Sequence, residues 1–125
     1  MTVRPPPWDA IVWWELRRIP FNLALAAAGA ASTLAVIGIG DALAKPGEDA
    51  IEPLALFVLI LGYAVAANAL YTLGWISELL WSGGDTARTA PFRPRVFRLG
   101  LVFSVVLTLL PGALAALLWL VFQAR

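Results

Sequence analysis

Polar and apolar positions are sorted along this chain into blocks. No side chain charged at neutral pH occurs in 19–40, 53–77 or 99–124. Each block exceeds the ~20 residues that carry a helix across a ~30 Å hydrocarbon layer. The pattern predicts an all-α membrane protein with three transmembrane helices, 21–43, 54–75 and 99–122. The residues 1–7 (MTVRPPP) read as an extended tail, because consecutive prolines disfavour a helix. The segment 8–19 reads as an amphipathic interfacial helix lying on the membrane, with a ragged first turn of the next segment as the alternative. Trp8, Ile11, Val12 and Trp14 follow helical spacing there, and Asp9, Glu15, Arg17 and Arg18 supply a polar side. It is expected to stop before Pro20, which pushes its predecessor out of the α region.

The turn 45–53 (KPGEDAIEP) is punctuated by Pro46-Gly47 and is acidic; the segment 82–98 reads as a loop, holding Arg88, Arg93, Arg95 and Arg98 against Asp85. With Arg17 and Arg18 ahead of the first span, the positive-inside rule places the N-terminus and this loop in the cytoplasm. The C-terminus and the acidic turn then lie outside. The loop arginines are expected to meet anionic lipid headgroups at about 1 kcal/mol each. A partner-docking role for Pro91-Phe92-Arg93-Pro94 is the alternative. The first span is rich in small residues (Ala24, Ala27, Ala28, Ala31, Ser32), which let helices approach closely in lipid. Its length argues for a retained span, since a cleaved signal peptide has a shorter apolar core. In the third span Pro111 deprives the Leu107 carbonyl of its donor, so a kink is expected there, with Ser104 and Thr108 near enough to help satisfy the freed groups.

The stretch 64–81 (AVAANALYTLGWISELLW) carries the best functional lead. Asn68, Tyr71, Trp75 and Glu78 are spaced by three, four and three, so they share one side of a helix. Hydrocarbon satisfies no hydrogen bond, so this stripe must face protein, water or a ligand. Matching depths across the bilayer brings Arg17, Arg18 and Asn22 to the same end. Glu78 is then expected to pair with Arg17 or Arg18, and Asn22 with Tyr71 or Trp75. Helix packing is the plain reading of these seven residues. The sharper one is a small oligomeric transporter or channel using Asn68 and Glu78.

Composition narrows the chemistry further. The chain has 125 residues, 61% of them hydrophobic and 14% charged, with no cysteine and no histidine. That removes the thiolate nucleophile, the commonest metal ligand and the commonest general base. No paired carboxylates, nucleophile with base, or phosphate loop stands out; Gly38-x-Gly40 ends a span rather than following a strand. No catalytic residue, cofactor site or metal site is expected, and the arginines form no basic domain for nucleic acid.

The segments Trp14-Glu15-Leu16-Arg17-Arg18 with Asn22, and Tyr71-Thr72-Leu73-Gly74-Trp75 followed by Glu78-Leu79, resemble a pattern in small uncharacterised multi-pass proteins of the bacterial inner membrane. The resemblance implies that location and no particular activity. Four-helix small multidrug exporters are similar in size, but they need a fourth span and a glutamate in the first, which this chain lacks. The expectation is an accessory or structural subunit, packing against itself or other membrane subunits.

Overall fold

The computed structural model describes residues 7–48 and 52–125, and those residues are helical with short connections. The order is α1 (Trp8–Leu43), α2 (Pro53–Ser82), a one-turn α3 (Thr86–Thr89), a 3-10 turn (Ala90–Phe92) and α4 (Arg93–Gln123). Three helices are long and apolar enough to cross a membrane, with mean hydropathies of 1.9, 2.1 and 2.4 in their most apolar windows. The expected tail 1–7 lies outside the described residues except for Pro7, as do residues 49–51 of the turn.

The local signals that start and stop α2 are explicit. Glu52 caps its N-terminus by accepting from the Leu54 and Ala55 amides, with Pro53 in the first turn, where no N–H is needed. Gly83 and Gly84 end it with φ of 61° and 89°, a region that side chains disfavour.

Two expected boundaries move. The segment 8–19 is not a separate interfacial helix: it forms the first turns of α1, which continues through Pro20. An interior proline costs about 3 kcal/mol. Packing on both sides of it holds the helix together, because Trp14, Phe21 and Leu25 are all buried. The segment 82–98 is not a loop either. Pro91 sits at the start of the 3-10 turn and Pro94 in the first turn of α4, positions where a missing N–H breaks no helical bond. The connection shrinks to the residues around Gly83 and Gly84.

Contact order fixes the arrangement. Trp14 meets Phe97 and Ser32 meets Gly112, so α1 and α4 run in the same direction. Trp14 meets Glu78 while Asn22 meets Asn68, so α2 runs against them. The buried positions of α1 (Ala10, Trp14, Phe21, Leu25, Ala28, Ser32) fall mostly three or four apart, along one stripe. Ala27 and Ala31 of the small-residue set face outward. On α4 the matching stripe includes Arg93, Thr108 and Gly112.

Helices α1 and α4 come close together at Ser32 and Gly112. A Cβ built on Gly112 would lie 2.9 Å from the Ser32 Cα. The Gly112 amide donates to Ser32 Oγ at 2.8 Å, the Thr108 hydroxyl donates to the Ser104 carbonyl at 2.6 Å, and α4 continues through Pro111. Thr108 has one hydroxyl proton, so the Tyr63 hydroxyl, 2.6 Å away, donates to it and ties α2 to α4. Gly112→Ala should therefore destabilise the protein by about 1–3 kcal/mol through overpacking against backbone. Gly38, with nothing within 4 Å of its would-be Cβ, should accept alanine at no loss. Unfolding in mixed micelles compares the two; equal stabilities would contradict the α1–α4 contact.

Candidate functional site

Polar side chains collect at one end of the bundle, around the first turns of α1, the last turns of α2, and the α3–α4 junction. They form two clusters with Trp14 between them.

The inner cluster is built on Arg18. It holds Glu15 across one turn of α1, with Nε to Oε2 at 2.9 Å and Nη2 to Oε1 at 2.8 Å. It also donates across to α2, to Thr72 Oγ1 at 2.7 Å and to the Asn68 carbonyl and Oδ1 at 3.2 Å each. Asn22 and Asn68 exchange amide hydrogen bonds at 3.0 and 2.8 Å. The Trp75 indole donates to Glu15 Oε1 at 3.0 Å. Arg18 also lies 4.7 Å from the centre of the Tyr71 ring, a cation–π distance.

The outer cluster is built on Glu78, which is buried. Its Oε1 accepts from Arg93 Nε at 2.5 Å and from the Thr89 hydroxyl at 2.7 Å. Its Oε2 accepts from the Trp14 indole. Arg93 is buried too, and its remaining nitrogens reach the Thr86 carbonyl at 3.1 Å and Asp9 at 3.6 Å. Asp9 in turn accepts from the fully buried Thr86 hydroxyl at 2.8 Å. The Tyr71 hydroxyl donates to the Trp14 carbonyl. Trp14 thus joins the two clusters, and it packs edge-on to Tyr71 and Trp13 with ring centres 5.8 and 4.9 Å apart. Such aromatic pairs each contribute about 0.5–1.5 kcal/mol beyond burial.

Of the seven residues singled out, Arg18, Asn22, Asn68, Tyr71, Trp75 and Glu78 all join this network. Arg17 stays apart, stacked 3.8 Å over the Trp13 ring and donating to its carbonyl. The pairings differ from those expected. Glu78 meets Arg93 instead of Arg17 or Arg18, because Arg18 contacts Asn68 and Thr72, about two turns away along α2. Asn22 meets Asn68, while Tyr71 and Trp75 turn to Trp14 and Glu15.

Sequence reasoning left Thr86 and Thr89 unremarked, and it named Asp9, Trp14, Glu15 and Arg93 without placing them in this network. One signal was present. Thr86, Thr89 and Arg93 are spaced by three and four, which is helical, and all three are buried. Reading the segment as a loop hid that face.

Among the described residues, no buried side-chain nitrogen or oxygen lacks a hydrogen-bond partner, and no three carboxylates gather as a metal site requires. Comparison with protein families, curated proteins and solved structures found no match to this chain.

Glu78 and Arg93 should behave as a unit. Removing Arg93 leaves Glu78 buried without a counter-charge, and removing Glu78 leaves Arg93 only the looser contact with Asp9 at 3.6 Å, so Glu78→Ala and Arg93→Ala should each cost about 3–5 kcal/mol, and the double variant less than their sum. Arg18→Ala should instead add to Glu78→Ala, since the two groups share no bond. A double-mutant cycle on unfolding free energies reads both; additivity for Glu78 with Arg93 would mean that they do not pair.

Proposed function

We propose that this chain is an accessory or structural subunit of a membrane complex, made with copies of itself or with other membrane subunits, and that it acts by helix packing. The observation that carries this reading is the saturation of the polar stripe. Both oxygens of Glu78 accept from protein donors, and the Asn68 amide is bonded to Asn22, Arg18 and Ala64. A carboxylate that carried protons or cations would need a face open to water or to the passing ion, as a conduction path must keep binding weak enough for release. Here Trp14, Thr89 and Arg93 donate to both oxygens, and the side chain is buried although it borders a recess. The geometry therefore favours packing over transport through Asn68 and Glu78. Three spans enclose little interior, and most large apolar side chains of α2 and α4 face outward. In lipid, further helices can cover them through van der Waals contact.

The same reading sets the protein in the bacterial inner membrane, with the Arg-rich end of the bundle cytoplasmic. Arg93 to Arg98 and the first turns of α1 are together at that end, so both carry the positive-inside signal on one side. The chain has no cysteine, so single cysteines can report sidedness. Gly47→Cys should react with an impermeant thiol reagent in intact cells and Gly84→Cys should not; the reverse pattern would invert the topology. Intact mass should show α1 retained, whereas a species beginning at Lys45 would mean cleavage.

The role itself is tested in reconstituted vesicles together with native mass spectrometry. The expected results are a defined oligomer or a stoichiometric complex, and no pH-gradient-driven flux. A monomer with a flux that Glu78→Gln abolishes would overturn the proposal in favour of a transporter.

A further inference from the structure

The α2 and α4 helices are tied at two places, Glu78–Arg93 and Tyr63–Thr108, and between the ties they leave a slot that opens sideways. Its apolar part, about 260 Å³, has Trp14 and Phe21 of α1 as its floor and Ala67, Leu70, Gly100 and Leu107 on its walls. A second recess, about 350 Å³, adjoins it at the polar end, lined by Glu78, Arg93, Trp81 and Phe92; Trp14, Gly74 and Val96 line both. From Tyr63 to Glu78 is fifteen residues, or about 22 Å of helix. One leaflet of a ~30 Å hydrocarbon layer is about 15 Å deep. The slot is therefore long enough for one acyl chain along its length, with side chains of α1 as its floor.

Charge decides the rest of the occupant. Arg88 is exposed, its Nη2 is 3.0 Å from the carbonyl of Trp81, a residue that lines the recess, and among the described residues it faces no carboxylate within ion-pair distance. Trp81 is 69% exposed and Phe92 51%, which leaves an aromatic rim at the level where headgroups meet hydrocarbon. We infer that the slot is a phospholipid site: one acyl chain lies between α2 and α4, and the phosphate of an anionic headgroup meets Arg88 at the rim. The buried Glu78–Arg93 pair closes the polar end but contributes no net charge, so Arg88 provides the preference for an anionic lipid. The inference requires the chain to lie in a bilayer and does not depend on the packing role.

Glycines make the test clean. Gly74 lines both the slot and the recess, Gly100 lines the slot, and a Cβ on either meets nothing within 4 Å. Leucine at these positions fills the space without striking backbone. Gly62 has equal room but lies outside both cavities, so Gly62→Leu is the control. The purified protein in detergent is titrated with phosphatidylglycerol or phosphatidylcholine and observed by native mass spectrometry. One tightly held phosphatidylglycerol per chain is expected. Gly74→Leu and Gly100→Leu should each lose most of it, with Gly62→Leu unchanged. Arg88→Gln should keep lipid binding but cut the preference for phosphatidylglycerol about fivefold, the weight of one arginine near an anionic surface. Equal retention of the two lipids by the wild type would overturn the proposal, and this readout needs no variant to fold. Undiminished binding in both leucine variants would overturn it too. If those variants instead break up an oligomer without changing bound lipid, the slot seats a helix from a second copy and the inference fails.

Discussion

A buried carboxylate has to be answered by donors, and the rest of this structure is arranged to answer Glu78. The donors come from three places: Trp14 on α1, Thr89 at the end of α3, and Arg93 at the start of α4. Meeting that requirement folds the α2–α4 connection back across the end of α1. It also sets the depth of α4 relative to α1, which then brings Ser32 opposite Gly112 further along. Water is a strong competitor for such donors at a surface; burial of both Glu78 and Arg93 removes it. The desolvation that makes an unpaired charge costly here is what makes the paired arrangement exclusive.

Much of the architecture was legible because the bilayer imposes coarse constraints. Uninterrupted apolar blocks gave the three long helices directly. The stripe from Asn68 to Glu78 was legible for the same reason, since an amide and a carboxylate on an apolar helix must face something polar. Proline was the misleading signal. Pro20 marked a break that tertiary contacts at Trp14 and Phe21 override; the segment 82–98, read as a loop on its arginines, holds Pro91 and Pro94 at first-turn positions. A proline constrains its own backbone and its predecessor's, but the sequence does not show which turn of a helix it will occupy.

Partners were harder to read than faces. Arg18 and Glu78 lie at similar distances from the polar ends of their helices, which made them look like a pair. Their true separation is two turns, and it depends on how far α1 extends past Pro20 toward the solvent. Once 8–19 is part of α1, Trp14 rather than Arg18 stands level with Glu78. The arginine for Glu78 then has to come from elsewhere, and the helical spacing of Thr86, Thr89 and Arg93 delivers it.

The Glu15–Arg18 pair has a bearing on how the chain is made. The α1 helix is synthesised first, yet its contact with α4 joins residues 80 positions apart in sequence. Until α2 and α4 exist, Arg18 has neither Thr72 nor Asn68 to donate to. Glu15, one turn away on the same helix, is available from the start and holds the guanidinium at 2.8 Å. The first helix therefore carries its own counter-ion through biogenesis, lowering the cost of holding an arginine near the hydrocarbon while its later partners are still being translated.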